Sequence, residues 1–295
     1  MLGLAACALV GLDACLGAGR TPIWNTAFRP TPVANRERGQ VLHAAAQRAW
    51  LGRAEEVHAE EAIGLWRAAL EADSSRAEVW AHLAQALYWM AFAHLEERGA
   101  ADDVVSRTYL DAIATAERGL LVLMPDLGAL TERGMLGPLA LSAMQPAAVP
   151  LLYWRASALG RWSHRDGLNT RVDARSEVRA SMERILQLDR DYAHCGADRL
   201  LGSSFAVLPT TLGGDLERAR AHFLYAIERW PAYLGNRVRY AIDVSVREAR
   251  RGVFVEQLEL ALRADPNALP EVGPENQLAQ RRAREALDRI AYYFD

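Results

Sequence analysis

Small and apolar residues recur at helical spacing in the last third of the chain. Ala219, Phe223, Ala226 and Pro231 are separated by four, three and five positions, and Phe254, Leu258, Ala261 and Pro266 repeat those offsets. The offsets match the second helix and closing turn of a tetratricopeptide (TPR) hairpin, where small residues let two antiparallel helices approach and proline stops the second. Upstream, Ala62, Trp66, Ala69 and Ser74 fit the same pattern with serine in the proline position. From Ala77, the residues Trp80, Leu83 and Ala84 take first-helix packing positions, ~34 residues after the equivalent start near His43. Ala112, Ala116 and Gly119 precede Pro125 too late for the period, so an insertion around Arg98 to Ser106 is expected. A further hairpin runs from Pro150 to Leu188, with Trp154, Ser157 and Ala158 in its first helix and Val178, Met182 and Ile185 in its second. The expectation is an all-α, TPR-like solenoid of four to five hairpins plus a C-terminal helix, compact rather than open.

Composition supports one domain able to bury a core, with 51% hydrophobic and 24% charged residues. No glycine- or proline-rich linker divides the repeats, so residues 41–295 read as one solenoid. There is no lysine, and arginine alternates with acids, as in Arg175, Glu177, Arg179, Glu183 and Arg184. With a net charge of −3 this reads as a solvated helix face rather than a nucleic-acid surface.

Residues Leu2 to Leu12 form an apolar run with the length of a signal-peptide core, too short to span a bilayer. It ends at Leu12-Asp13-Ala14-Cys15, which resembles a bacterial lipobox, with Leu4-Ala5-Ala6-Cys7 as an alternative upstream. Residues 1–15 are therefore expected as a lipoprotein-type signal segment, lipidated at Cys15 or Cys7, and residues 16–40 as a flexible tether. Cys195 remains as the third cysteine, too few for a disulfide in the mature chain.

Catalytic and metal constellations are not expected. The histidines at 43, 58, 82, 94, 164, 194 and 222 form no His-Glu-x-x-His pair. His94, with Glu96 and Glu97, reads as a solvated helix end, and His194-Cys195 as a packed turn between repeats. Gly213-Gly214-Asp215 lacks the strand and Gly-Lys-Ser/Thr of a phosphate loop, and Asp215 reads as a helix N-cap. The chain reads as a non-enzyme with no cofactor and no metal site.

Aromatic residues gather in two places. Tyr88, Trp89 and Phe92 lie within one turn, and Tyr153, Trp154 and Trp162 follow Pro150, with Arg155 and Arg161 beside them. Aromatic rings with a few convergent polar groups suit a small-molecule cleft, and arginine suits a carboxylate. The plainer reading is that these rings fill the core of the hairpins, where Trp80 and Trp154 occupy packing positions.

Three runs carry a family resemblance. Val149-Pro150-Leu151-Leu152-Tyr153-Trp154 followed by Ala156, Ala158 and Gly160, Gly213-Gly214-Asp215 leading into Ala219, Ala221, His222 and Phe223, and Glu275-Asn276-Gln277-Leu278-Ala279 leading to Asp288-Arg289-Ile290 resemble the TatT family, the TPR-containing T component of TRAP transporters. The resemblance spans about Trp50 to Asp295. It implies a helical protein anchored by lipid to the periplasmic face of the outer membrane of a Gram-negative-type bacterium. It further implies association with the periplasmic solute-binding protein of a TRAP transporter, a hydrophobic cleft for a ligand, and homotrimers in part of the family. The other reading is a TPR scaffold for cell-envelope assembly that binds no small molecule.

Overall fold

Helix starts follow the local chemistry of the chain. Asn35 accepts a hydrogen bond from the Arg38 amide at 2.9 Å, and Asp215 accepts one from the Arg218 amide at 2.9 Å, so each caps the helix it precedes. The computed structural model describes residues 20–295 apart from Ala27, Thr31, Pro32 and Gly167, without the side chains of residues 168–173 and 212. Cys7, Cys15 and the signal segment 1–15 lie outside the described residues.

Thirteen α-helices and no strand make up the described residues. Five antiparallel hairpins are formed by α1 (Arg36–Leu51) with α2 (Glu56–Ala72), α3 (Ala77–Trp89) with α4 (Asp102–Leu123), and, beyond the short α5 (Pro138–Ala143), α6 (Val149–Asp166) with α7 (Leu168–Leu188), α8 (Tyr192–Val207) with α9 (Leu216–Arg229), and α10 (Gly235–Tyr240) with α11 (Arg251–Arg263). Helix α12 (Gly273–Asp288) and the short α13 (Ile290–Phe294) follow. The small residues expected at crossings are there: Ala62, Ala219, Ala226 and Ala261 are fully buried, and so are Trp66, Phe223 and Phe254. Burying such rings supplies about 1.5–3 kcal/mol each. One large core runs through the first four hairpins, and a smaller one joins Phe254 and Leu258 to Ala283 and Ala286.

Two first helices, α3 and α10, end in π-helical turns, Met90–Leu95 and Ala241–Ser245. They close with the same backbone bonds: Arg98, Gly99 and Ala100 donate to His94, Glu96 and Leu95, and Glu248, Ala249 and Arg250 to Val244, Val246 and Ser245. The insertion expected around Arg98 to Ser106 falls only in part on irregular backbone: residues 98–101 close the first of these turns, and 102–106 already form the start of α4. A longer interruption, from Met124 to Ala148, separates α4 from α6.

Two sequence expectations fail here for one reason, a buried ion network. Arg155 is fully buried and donates to Glu117 (2.9 Å) and Glu177 (2.9 Å). Glu117 also accepts from Arg20 (2.6 Å) and from the Ile23 amide (2.8 Å), and Glu177 from the Leu136 amide (2.6 Å). Glu177, read as part of a solvated face, is thus 6% exposed. Residues 20–25, read as flexible tether, are held to α4, with Trp24 buried under the Arg155 guanidinium at 4.8 Å. The tether expectation also fails for residues 36–40, which begin α1.

Helix α12 brings the C-terminal end of the solenoid back against its beginning. Arg53, in the α1–α2 turn, donates to both Glu275 oxygens (3.1 and 2.6 Å) and to the Glu271 carbonyl (2.5 Å). Arg282 donates to Glu97 at 2.6 Å. The stack therefore closes on itself around an internal space.

Candidate functional site

That space is a cavity of about 360 Å³ lined by the inward faces of α3, α6, α8, α10 and α12. Its continuous wall is aromatic. Phe92 stacks on Tyr88 at 5.5 Å, Tyr88 meets Trp154 at 5.4 Å, Trp154 meets Tyr153 at 4.8 Å, and Tyr153 meets Tyr192 at 5.4 Å. Trp89 adds its ring and anchors the α1–α2 turn by donating from Nε1 to the Arg53 carbonyl at 2.9 Å. Phe92 carries two guanidinium groups over its ring, Arg282 at 4.0 Å and Arg161 at 4.7 Å.

Six of the eight expected site residues line this cavity: Tyr88, Trp89, Phe92, Tyr153, Trp154 and Arg161. Arg155 and Trp162 do not. Arg155 is one position beyond Trp154, about 100° around the helix, and faces the ion network instead. Trp162 is eight positions on, about 80° around, and is 6% exposed in the core. The choice between cleft and core thus divides within the group, and Trp80 belongs to the core, its Nε1 donating to the Ser74 carbonyl at 2.9 Å.

Sequence reasoning missed much of the polar lining. Arg53, Tyr192, Arg199, Tyr233, Arg239 and Arg282 all face the cavity. The wall positions Gln85, Tyr88 and Trp89 of α3 recur with the same spacing as Gly235, Val238 and Arg239 of α10, each ahead of a π turn, but the paired residues are unlike and the correspondence shows only in the folded chain. His94 and Glu96 belong to a packed junction rather than a solvated end, whereas Glu97 is exposed as expected. His94 lies 3.0 Å from the Arg53 carbonyl, and the Glu96 side chain, 15% exposed, accepts from Tyr109 and Arg161.

The start of α8 has an unusual backbone. Ala193, His194 and Cys195 are left-handed, with φ of 51°, 56° and 58°, a conformation costing about 1–2 kcal/mol per non-glycine residue. The turn is held from its inner side: Arg199 donates to the carbonyls of Ala193 (3.3 Å) and His194 (3.2 Å), to Asn236 Oδ1 (2.7 Å) and to the Tyr153 hydroxyl (3.1 Å). Gly196 follows because an added Cβ would lie 2.5 Å from the Tyr153 ring. His194 stacks on Tyr233 at 4.9 Å, and burial, then Arg199, lowers its pKa. Burial pushes the Tyr233 phenol up to about 12 against the pull of Arg199, raises the Tyr192 phenol, and pushes the Cys195 thiol up to about 12. These phenols are neutral donors at physiological pH, and the thiol is unsuited to nucleophilic work.

Two other features were weighed for chemistry. Gly213-Gly214 forms no phosphate cradle: Gly213 has φ of 85°, and an added Cβ at Gly214 would sit 1.8 Å from the Leu208 carbonyl oxygen. His43, Glu78 and His82 bring potential ligand atoms within 4.8 Å of one another. Trp66 Nε1 donates to His43 Nδ1 at 3.0 Å, which leaves the neutral His43 proton on Nε2, where a ligand needs a lone pair. That is the reverse of a ligating histidine, which donates from its second nitrogen. Burial lowers the pKa of both histidines.

The fold and the site define a helical-repeat protein closed around an aromatic cavity. The TRAP transporter T-component family matches residues 94–294, and the chain belongs to that family. A search of curated proteins gives no match. Membership assigns an accessory role in TRAP transport. Among the described residues, no helix is long and apolar enough to cross a membrane.

Proposed function

We propose that this chain is a periplasmic accessory component of a TRAP-type organic-solute transporter. In this reading it associates with the transporter's solute-binding protein and holds an apolar or organic-acid ligand in the cavity between its two ends. A lipid on Cys15, or on Cys7, tethers it to the periplasmic face of the outer membrane, and three copies assemble. The observation that carries the reading is the cavity itself: a scaffold that only gathers proteins would bury Tyr88, Phe92 and Trp154 in packing, whereas these rings border open space. Aromatic walls with a few polar groups are the usual lining of a small-molecule site.

The test combines attachment with association. The full chain, expressed in a Gram-negative host with its cognate TRAP solute-binding protein, should fractionate with the outer membrane and retain that protein on affinity capture. Replacing both cysteines should release it to the soluble periplasm with the association intact. A wild type that stays in the cytoplasm with Met1 in place would remove the anchor. A wild type that ignores the solute-binding protein would leave the scaffold reading.

A further inference from the structure

Five arginines border the cavity, and their partners differ in one respect. Arg53 is matched by Glu275, Arg161 by Glu96, Arg239 by Asp243 and Arg282 by Glu97. Arg199 alone among them has no carboxylate within ion-pair distance in the described residues. Its four acceptors, two backbone carbonyls, the Asn236 amide oxygen and the Tyr153 hydroxyl, are all neutral. The unmatched wall acid, Glu271, has a side chain 61% exposed that sits 3.9 Å from His194. A positive charge inside a partly enclosed, aromatic-walled space is weakly screened and lacks a counter-charge.

The neighbouring hydroxyls have the matching polarity. Tyr153 accepts from Arg199, and Tyr192 accepts from Trp154 Nε1 at 3.0 Å. No described group accepts from either hydroxyl, so each keeps its own proton to donate. Asn236, fully buried, is fixed by donating to the Ala226 carbonyl at 3.1 Å, which holds its oxygen on Arg199. Charge and donors thus converge at the Tyr153 end of the wall, while Tyr88, Trp89 and Phe92 offer flat apolar surface farther along.

We infer that the cavity selects an anionic amphipathic small molecule, an organic carboxylate or sulfonate with a flat apolar body. Arg199 supplies the unmatched charge, Tyr153 and Tyr192 donate to the anion's oxygens, and the rings of Tyr88, Trp89 and Phe92 cover the body. The inference rests on the reading that the cavity binds a ligand, and it adds the sign of that ligand's charge and the residues that read it.

The probes are 2-naphthoate and its neutral isostere 2-naphthamide, titrated into the full soluble chain and followed by tryptophan quenching. Naphthoate should bind about tenfold more tightly or better, as hydrogen bonds to a charged group contribute more than neutral ones. Arg199→Gln should erase that preference and leave naphthamide binding unchanged. Arg107→Gln, at an exposed position of α4 outside the cavity lining, should keep it. Because Arg199 also holds the left-handed turn, Tyr153→Phe provides a second variant: it keeps the ring and should weaken naphthoate several-fold with naphthamide little changed. Equal binding of the two probes by the wild type, or a preference that survives in both Arg199→Gln and Tyr153→Phe, overturns the anion inference while leaving the cavity as a binding site. Binding of neither probe overturns the cavity reading and this inference with it.

Discussion

Helix α6 presents two arginines and two tryptophans to opposite kinds of surroundings. On its core side, Arg155 faces two glutamates with its charge matched, and Trp162 is buried among apolar neighbours. On its cavity side, the Tyr153 and Trp154 rings touch each other and Arg161 lies over Phe92 and pairs with Glu96, yet all three border open space. The contrast teaches what separates structural from receptive burial. A buried charge matched by carboxylates within the chain ties helices together, and a polar group left with spare capacity beside a void is available to a ligand.

The largest break should come from the core side. Arg155→Met strands Glu117 and Glu177 without their shared cation and should cost about 3–5 kcal/mol, read as a lowered urea midpoint. Loss of the fixed segment around Trp24 should show as earlier proteolysis near residues 20–25. Trp162→Ala should cost about 3 kcal/mol, near the low end for a large core ring, with naphthoate binding unchanged at temperatures where the variant is folded. A Trp162 variant of wild-type stability but impaired binding would put that ring on the cavity side after all.

Between the two sides lies Gly196, whose missing Cβ makes room for the Tyr153 ring. Gly196→Ala should cost about 1–3 kcal/mol by overpacking and also disturb binding, joining effects that the core-side variants keep apart. On the cavity side, Arg161→Gln should cost at most about 1 kcal/mol, since the Arg161 side chain is 36% exposed and Glu96 retains Arg165. The smallest effect is one of pH. His194, on the cavity side, and His43 and His82, elsewhere, have pKa values lowered mainly by burial from an ordinary 6.5. As pH falls below about 6.5 the unfolded chain takes up protons first, so stability is full above that value and declines beneath it. Urea midpoints at pH 7.5 and 5.5 should show the decline, and His194→Gln should reduce it; a midpoint that rises on acidification would contradict the assignment.

The repeat architecture was legible because its signal is periodic and local. Ala219, Phe223, Ala226 and Phe254, Leu258, Ala261 were placed by offset alone, and each is buried at a helix crossing. The capping role of Asp215 was legible for the same reason, since a cap acts within three residues. The division of α6 into two sides was not. Tyr153, Trp154, Arg155, Arg161 and Trp162 read as one aromatic and basic cluster, and what sorts them is the position of Glu117 and Glu177 on two other helices. Arg199 was invisible for a related reason: its distinction is a missing partner, and only the assembled fold shows which carboxylates come near.

The paired π-ended helices have a consequence for how such a molecule can vary. Each closes through backbone groups alone, at Arg98, Gly99 and Ala100 and again at Glu248, Ala249 and Arg250. Wall side chains at Tyr88 and Trp89, or at Val238 and Arg239, take no part in that closure. One helix therefore offers the cavity an aromatic jaw and the other a small and charged jaw on the same backbone frame. Exchange of a few residues on either jaw can retune what the protein grips while its helical skeleton stays as it is.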